Sequence, residues 1–487
     1  MRMKKTKLVL VVITFVLLFS VPTASGTSQT PTCPSDPTVQ EILNQVTEDA
    51  VTQWIRNFSG EDFVPIGVSQ KKILTRHSYQ LFNMNVNALA YPYLGEQLES
   101  FGYLLGTYLT DHSFSSSKVF ESKEKLIRDW IGKDCDGLLS LDQIIAFPDK
   151  SYTWKNKIVT IPGHGPNADE IVLMTAHLDS TSTSPITNAP GAEDNASGVA
   201  ALMEAARLFR FYKFDRTIKI IFFTGEEQGL LGSVAYVADY PEEMDVILGV
   251  VNLDMFGYDS NDDRCFELHV GTLADSNVVG TCFTDVINNY GLNLTYDYLT
   301  SGATGASDHA SFWYAGVGAV EVLENYFDNS NIPGGCDGRD KNPYYHTTND
   351  KIAEMNLPVT LSIAQAGIGT AASLAEPIGP CFAADPDITA TANTNSILLT
   401  WPEVVDADVY NVYRSDTSCE GTFSQIAQVT ANGYEDTNVE LGTSYSYKVQ
   451  AAETGAVCFS QMSNCAVAGL GEPVFFDFYI PLIIAGE

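Results

Sequence analysis

The chain has 487 residues, of which 45% are hydrophobic, and it carries a formal net charge of −33. This length exceeds that of most single domains, so two or more folded units are expected. The negative charge argues against nucleic acid as a partner, because its phosphates would be repelled, but it identifies no ligand.

Residues 1–26 have the pattern of a secretory signal peptide. Basic residues at positions 2 to 7 precede an apolar segment from Leu8 to Leu18, and small residues follow around Ala24–Gly26. An uncleaved membrane anchor is the alternative, although the apolar segment is short for a membrane span. A secreted, extracellular protein is therefore predicted, and its nine cysteines could form disulfides there. Their pairing cannot be read from the sequence, and the odd number leaves at least one unpaired within the chain.

The periodicity of apolar residues predicts the elements that follow. Helical spacing covers residues 39–55, with weaker helical patterns at 94–105 and 120–131. Farther along, short apolar runs that are typical of strands alternate with helical segments, the first of which begins at Ser197 as its cap. The runs are KIVTIPG, EIVLMTAHLDS, IKIIFFTGEE, VILGVVNLDMFG and GAVEVLE. This alternation predicts an α/β fold of three layers with a mostly parallel central sheet.

A different pattern follows the linker at Pro377–Asp387. Apolar and polar residues alternate from 387 to 468, which predicts a small all-β sandwich with Tyr445 as the tyrosine of its corner. The segment resembles a fibronectin type III module, which could bring the protein into contact with a cell surface or a polymer. Residues 469–487 form an apolar C-terminal tail that is too short to cross a bilayer, and it either packs on the fold or associates with a surface.

Potential metal ligands follow several of the apolar runs. In an open α/β sheet, binding sites collect at the carboxyl ends of the strands. Histidine together with carboxylates suits zinc, whereas calcium and magnesium favour oxygen ligands alone. Each residue has an ordinary explanation by itself, since Asp194 could cap a helix and adjacent glutamates are usually solvated. Chance placement after so many runs is a strained explanation, so the set predicts a zinc site. Its residues are His177, Asp179, Asp194, Glu226, Glu227, Asp254 and His346.

The motifs around these residues resemble those of the secreted zinc aminopeptidase family with co-catalytic metals, which includes bacterial leucyl aminopeptidases. The motifs are TAHLDS, APGAEDNASGVAALMEAAR, FFTGEEQGLLGS, NLDMFGYD, SDHASF and YYHTTND, in the family's order and at about its spacing. The resemblance extends from about Val39 to Leu374. It implies a single catalytic domain over residues 36–378, which includes the early helices. It also implies two zinc ions as cofactors and peptides with a free, apolar N-terminal residue as substrates.

The resemblance further implies a role for each ligand. His177 and Asp254 would hold one zinc ion, Glu227 and His346 would hold the other, and Asp194 would bridge both. A bridging carboxylate is chemically reasonable, because its two oxygens suit the separation of about 3.5–4 Å between ions in two-metal sites.

Two further carboxylates would act without binding metal. Glu226 would be the general base, taking a proton from a water that bridges the zinc ions and passing it to the departing amine. Asp179 would accept the second N–H of the His177 imidazole and fix its tautomer. Asp350 could act similarly on His346.

The loop Ser301–Trp313 resembles the family's substrate-pocket loop. Asp308 and His309 within it are expected to orient the loop rather than to take part in catalysis. The family often closes this pocket with a disulfide between closely spaced cysteines. Here the nearest pair in the sequence, Cys265 and Cys282, is not closely spaced, so no prediction is made for a pocket disulfide.

Three other functions stay open at this point. A carboxypeptidase could use the same ligands, but it would need cationic groups for the substrate's carboxylate, and the sequence around the motifs is poor in arginine and lysine. A glutaminyl cyclase would be a single-zinc acyltransferase, and the complete set of five ligands favours hydrolysis with two metals over it. A binding protein with a vestigial metal site is disfavoured, because every ligand and Glu226 are present.

Overall fold

The computed structural model describes residues 33–78, 80–81, 84–85, 89–115, 153–329, 332, 334–454 and 457–471. The predicted signal peptide, the helical pattern at 120–131, Cys135 and the tail beyond residue 471 lie outside these residues.

The described residues contain eight α-helices and 21 β-strands. The helices are α1 (Pro37–Asn44), α2 (Glu48–Phe58), α3 (Ala90–Ser100), α4 (Ala196–Phe209), α5 (Leu231–Asp239), α6 (Ala274–Tyr290), α7 (His309–Tyr314) and α8 (Leu357–Ala375). The strands are β1 (Val64–Ile66), β2 (Ser69–Lys71), β3 (Gln80–Leu81), β4 (Met84–Asn85), β5 (Leu109–Ser115), β6 (Thr153–Ile161), β7 (Ile171–His177), β8 (Tyr212–Phe214), β9 (Thr217–Phe223), β10 (Ile247–Leu253), β11 (Cys265–His269), β12 (Thr295–Leu299), β13 (Ala319–Glu324), β14 (Pro377–Pro380), β15 (Thr389–Ala392), β16 (Ile397–Thr400), β17 (Val409–Ser415), β18 (Ser424–Val429), β19 (Gly433–Asp436), β20 (Ser444–Ala452) and β21 (Ala466–Gly469).

An eight-stranded mixed sheet forms the centre of the fold, with the strand order β12-β11-β13-β10-β7-β9-β6-β5. The central strands β13, β10, β7 and β9 are mutually parallel. Toward one edge, β6 is antiparallel to β9 and β5 is antiparallel to β6. Toward the other edge, β11 is antiparallel to β13. The expected α/β fold is confirmed. All five runs predicted as strands lie in this sheet. The predicted parallel pairing holds for its central strands.

Helices cover both faces of the sheet and give the three layers. Side chains alternate between the faces of a strand, so Val172 and Met174 of β7 join the core beneath α4, α6 and α8, whereas Ile171 and Leu173 join the core beneath α5 and α7. Helix α8 is long and apolar enough to cross a membrane, but most of it is buried inside this fold.

The apolar period at residues 39–55 contains two helices rather than one. Oδ1 of Asp36 accepts the N–H of Thr38 at 2.7 Å at the start of α1, and Oγ1 of Thr47 accepts the N–H of Ala50 at 3.3 Å at the start of α2. Such side chains are favoured caps because they satisfy N–H groups that lack a partner in the first turn. The break between the helices is therefore encoded by a cap, which the apolar spacing does not reveal.

Two small antiparallel sheets follow along the chain, with the orders β15-β16-β19 and β18-β17-β20-β21. They share a core of buried aromatic and aliphatic side chains. The hydroxyl of Tyr445 accepts the backbone N–H of Glu440 at 3.0 Å, a contact typical of a tyrosine corner. The antiparallel sheets are as expected, whereas the resemblance to a fibronectin type III module and the domain boundaries stay predictions.

Four disulfides join distant parts of the described chain. They are Cys33–Cys282, Cys265–Cys336, Cys381–Cys458 and Cys419–Cys465. The second of them links the first residue of β11 to the segment that leads to His346, and so anchors that segment to the central sheet.

Candidate metal centre

Three neighbouring parallel strands bring predicted ligands to one edge of the sheet. Strand β7 lies between β10 and β9 and is parallel to both. His177, the last residue of β7, is paired with Phe223, the last residue of β9. Asp254 follows β10, and its backbone N–H donates to the carbonyl of Val322 in β13 at 3.1 Å. The carboxyl ends of these strands therefore meet at one place.

The chain turns sharply between β9 and the two glutamates. Gly225 has a φ of 75°, a left-handed conformation that costs glycine little. The backbone N–H groups of Glu226 and Glu227 each donate to one carboxylate oxygen of Asp179, both at 3.3 Å. A single buried side chain thus fixes the direction in which both glutamates leave the strand.

This contact differs from the role expected for Asp179. Nδ1 of His177 lies 3.0 Å from the backbone carbonyl oxygen of Asp179, but 3.9 Å from its carboxylate. The imidazole is therefore oriented by the main chain, while the Asp179 side chain supports the glutamate turn. Burial raises the pKa of Asp179, although the neighbouring His177 opposes the rise.

Two groups of three side chains share Asp194. Nε2 of His177 lies 3.0 Å from Oδ1 of Asp254 and 3.3 Å from Oδ1 of Asp194. Nε2 of His346 lies 3.1 Å from Oδ2 of Asp194 and 3.1 Å from Oε2 of Glu227. Within each group the facing atoms all lie within 4.8 Å of one another. Asp194 thus directs one oxygen to each group, and the five predicted ligands form one continuous cluster.

Asp194 is held in place from the side away from the histidines. Oδ2 of Asp350 accepts the N–H of Asp194 at 3.1 Å, and Oδ1 accepts the N–H of the preceding residue at 3.0 Å. Asp350 therefore supports the loop of Asp194, which differs from the expected support of a histidine ring. The predicted cap is also different, since Oδ1 of Asn195, rather than Ser197, accepts the N–H of Gly198 at 2.8 Å.

Burial and neighbouring charges shift the pKa values of the ligands. Against the effect of burial, Asp254 and Asp194 raise the pKa of His177 well above its ordinary value. Burial is likewise opposed at His346, where Asp194 and Glu227 raise the pKa to about 10. Burial raises the pKa of Glu227 to about 7. In the absence of a metal ion, the carboxylates favour the protonated forms of His177 and His346.

The donor set fits zinc. Imidazole nitrogen and carboxylate oxygen are both common zinc ligands. Oε1 of Glu227 is buried and has no hydrogen-bond partner among the described residues. An unpaired buried acceptor costs about 1–3 kcal/mol, and a cation held between the two groups would remove that cost.

Glu226 belongs to neither group of three. Burial raises the pKa of its carboxyl group well above the ordinary value, the charges of Asp254 and Glu227 add to the rise, and His177 opposes it. A carboxyl group with a raised pKa beside a metal site is suited to accept and return a proton near neutral pH.

Arg76 is fully buried, and no role for it was predicted from the sequence. Its guanidinium donates to the backbone carbonyls of Phe58, Leu178, Pro190 and Gly191 at 2.6–2.9 Å. These carbonyls belong to the end of α2, the segment after β7 and the loop before α4. Burial lowers the pKa of Arg76 only to about 10, so it stays a fixed cation next to the site.

Glu193 is a second residue that sequence reasoning missed. Its Oε1 accepts the N–H groups of Gly257 and Tyr258 at 2.9 and 2.6 Å, and its Oε2 accepts an N–H of the Asn342 side chain. The carboxyl group thereby joins the loops that carry three different ligands. Burial raises its pKa to about 8. The sequence marks this residue only as an acidic neighbour of Asp194.

Two buried histidines hold Thr304 in the loop Ser301–Trp313. Nδ1 of His269 accepts the N–H of Thr304 at 3.0 Å, and Nε2 of His309 donates to the Thr304 carbonyl at 2.9 Å. Burial lowers the pKa of both histidines to about 3. A neutral ring is what the hydrogen bond to Nδ1 of His269 requires, because a protonated Nδ1 could not accept. His309 therefore orients the loop. Asp308 is also fully buried, and burial raises its pKa to about 7.

Comparison with known proteins identifies the central segment. Residues 156–370 match the family model described as peptidase family M28. Aminopeptidase YwaD of Bacillus subtilis is 34% identical over 190 residues, which are 38% of this chain and 37% of that protein. Leucine aminopeptidase 1 of Trichophyton equinum is 33% identical over 235 residues, which are 45% of this chain and 57% of that protein. The chain thus spans about half the length of the curated relatives it matches.

A solved structure supports the fold. The LapA aminopeptidase of Legionella pneumophila aligns over 74% of this chain and 78% of its own, with 22% identity and a TM-score of 0.51. The segment that matches the family model contains all five predicted ligands and Glu226. Residues 156–370 are therefore similar to peptidase family M28, in a match that covers less than half of the chain.

Proposed function

We propose that the protein is a secreted aminopeptidase that removes N-terminal residues, apolar ones foremost, from peptides. The observation that carries this proposal is the cluster in which Asp194 joins a His177–Asp254 group to a Glu227–His346 group. The similarity to YwaD and to leucine aminopeptidase 1, both named aminopeptidases, supports it.

Two zinc ions are the proposed cofactors. His177 and Asp254 would hold one ion, Glu227 and His346 would hold the other, and Asp194 would contact both. When bound, zinc supplies Lewis acidity that polarises a carbonyl group and lowers the pKa of water. The mixed nitrogen and oxygen donors and the unpaired Oε1 of Glu227 support this assignment.

Glu226 is the proposed general base. Its carboxylate would accept a proton from the attacking water and return it to the departing amine, which is suited to a group whose pKa is raised by burial. Asp179 would position this carboxylate, because it accepts the backbone N–H of Glu226.

The substrate's α-amine would lie at the His177–Asp254 group. The pocket loop adjoins this half of the cluster, since Oγ of Ser307 accepts a hydrogen bond from the side chain of Asn252, two residues before Asp254, at 2.9 Å. The side chain of the N-terminal residue would enter the pocket there. The rest of the peptide would then extend across the Glu227–His346 group.

Export from the cell is part of the proposal. Disulfides persist mainly in oxidising compartments, and four are present in the described chain. We further propose that residues 387–468 are a fibronectin type III-like module that contacts a cell surface or a polymer.

Amino acid anilides with free and with blocked N-termini test the activity. The purified chain should cleave the free leucine anilide, lose activity to a chelator, and regain it with two zinc ions per chain. Activity on the blocked anilide alone, or activity that the chelator does not reduce, would contradict the proposal. Cyclisation of an N-terminal glutamine without release of a residue would instead identify a glutaminyl cyclase.

A further inference from the structure

A depression of about 480 Å³ lies next to the candidate metal centre. It is lined by residues 339–343 and by Tyr345. The ring of Tyr345 stacks on the ring of His346, with 3.7 Å between the ring centroids. The depression and the metal centre therefore share one wall.

Two cations line this depression. Nζ of Lys341 lies 3.8 Å from the ring centroid of Tyr326 and 4.8 Å from that of Tyr345, and it donates to the Tyr326 hydroxyl. The guanidinium of Arg339 lies 5.8 Å from the ring centroid of Tyr326. Cations over aromatic faces are attracted to the rings, so both side chains are held on one wall.

Neither cation forms an ion pair with any described residue. Asp340 also lines the depression, but its carboxylate accepts hydrogen bonds from the backbone N–H of Ser260 at 2.5 Å, from the Ser260 hydroxyl at 2.6 Å and from the N–H of Asn261 at 3.3 Å. The charge of Lys341 reaches the carboxyl group of Glu324, and that of Arg339 reaches Glu267, but neither carboxyl group forms an ion pair with them. In a chain with 60 acidic and 27 basic residues, two neighbouring cations that form no ion pair among the described residues leave room for an external anion.

The position of the depression determines which part of a substrate it would meet. Under the proposed function, the α-amine lies at the His177–Asp254 group, and the peptide extends across the half that contains His346. The depression adjoins that same half through Tyr345. It therefore lies on the side of the residues that follow the scissile bond.

We propose that Arg339 and Lys341 form a carboxylate subsite on the leaving side of the substrate. The subsite would take either the C-terminal carboxylate of a short peptide or an acidic side chain just after the scissile bond. This inference rests on the proposed function for the direction of the substrate. It gives the enzyme a preference for short or acidic leaving peptides.

Paired peptides test the subsite with the zinc-loaded full chain. The first pair is Leu-Gly-Gly and its C-terminal amide, and the second is the C-terminal amides of Leu-Asp-Gly and Leu-Asn-Gly. We expect the carboxylate-bearing member of at least one pair to have a kcat/KM about five- to tenfold higher, mainly through a lower KM, as for a partly exposed ion pair. The pair that shows the preference identifies the source of the carboxylate, and equal values in both pairs would overturn the inference.

Charge-neutral variants assign the preference to the two residues. Lys341→Gln and Arg339→Gln should each reduce it, and the double variant should abolish it, while kcat/KM for the neutral amides stays within about twofold. Lys71→Gln removes an exposed charge on β2 that does not line the depression, so it should retain the full preference. A preference that survives in the double variant would refute the assignment.

Measurements of peptide affinity test the carboxylate subsite even when the peptide is not hydrolysed. The affinity of the Glu226→Gln variant for Leu-Gly-Gly and for its amide can be measured by calorimetry, and the same ratio of about five- to tenfold is expected. If no peptide with a free amine is hydrolysed, the proposed function fails. The ratio of affinities for Leu-Gly-Gly and its amide would still show whether the carboxylate subsite exists. Cleavage of acetyl-Leu-Gly-Gly at its C-terminal end would show a carboxypeptidase, and loss of that cleavage in the double variant would still assign the carboxylate contacts to Arg339 and Lys341. Equal affinity for the acid and the amide would overturn the inference.

Discussion

The carboxylate of Asp350 accepts the backbone N–H of Asp194 at 3.1 Å. Asp350 follows His346 by four residues, and its own carbonyl accepts the N–H of Ala192 at 3.2 Å. One residue thus ties the loop of the ligand shared by both groups to the segment of another ligand. The distance between these two segments is set by this residue rather than by the ligands.

Replacing Asp350 with alanine should weaken zinc binding about 10- to 100-fold, the usual effect of losing a residue that orients metal ligands. The N–H groups of Glu193 and Asp194 would lose their acceptors, and the loop would relax. Competition with a chromogenic chelator measures the affinity. Asp387→Ala, an exposed position at the end of the predicted linker, serves as the control, and equal affinities for the two variants would contradict the prediction.

The adjacent glutamates should respond differently to the same substitution. Glu226→Gln should bind two zinc ions as tightly as the unaltered chain but lose about 10²- to 10⁴-fold in kcat, because only a proton acceptor is removed. Glu227→Gln should lose zinc, because a ligand is removed. Metal analysis after dialysis, together with kcat on leucine anilide, separates the two effects. Loss of zinc in Glu226→Gln would show that the roles are assigned the wrong way round.

The stability of the protein should fall with rising pH in a way that depends on Glu267. Burial raises the pKa of this carboxyl group from 4.5 to about 8. The folded state therefore binds the proton more tightly than the unfolded chain. The contribution of Glu267 to the free energy of unfolding is fully present below pH 4.5 and is lost as the pH rises through 8.

Glu267→Gln removes this titration and should flatten the pH dependence of the free energy of unfolding. Urea denaturation at several values between pH 5 and 9 provides the measurement. The slope is the informative quantity, because the substitution also alters the hydrogen bond to His269, which changes stability at every pH. An unchanged slope would mean that Glu267 is ionised in the folded protein.

Removing the His269 ring should loosen the loop Ser301–Trp313. His269→Leu leaves the N–H of Thr304 without its acceptor and Oε2 of Glu267 without the donor at His269, so we expect a loss of about 2–3 kcal/mol in the free energy of unfolding and a higher KM. Zinc content should not change, because no ligand is touched. His164→Leu, at an exposed histidine, should stay within about 0.5 kcal/mol of the unaltered chain, and a similar loss in both variants would contradict the prediction.

The central strands could be predicted because their signal is local. Apolar runs of the length of β7, β9 and β10 are buried on both faces of a parallel sheet, and the ligands follow directly where the runs end. Strand β11, which lies between the edge strand β12 and β13, was not predicted, because Glu267 and His269 interrupt its apolar pattern. Both are buried against each other and against loop groups, and only the fold creates those partners.

The roles of the supporting residues were harder to predict than the cluster itself. Asp179 is two residues from His177, which suggests a contact between their side chains, and two residues apart on a strand do share a face. However, β7 ends at His177, so Asp179 lies beyond the strand and its carboxylate contacts the neighbouring turn. The role of Arg76 could not be predicted, although the stretch ILTRHSYQ around it belongs to the family resemblance, because its partners are main-chain atoms that no sequence pattern marks.

Arg76 also bears on how short a working chain could be. One of its four carbonyl partners is that of Phe58, the last residue of α2, so the helix near the start of the described chain completes the set of acceptors around a cation buried in the core. A chain trimmed to the family match at residues 156–370 would lose both the helix and the arginine itself. The loop of Asp194 would then lose the donors that hold Pro190 and Gly191. The smallest stable form of this fold is therefore expected to be longer at its N-terminal end than the segment that matches the family model.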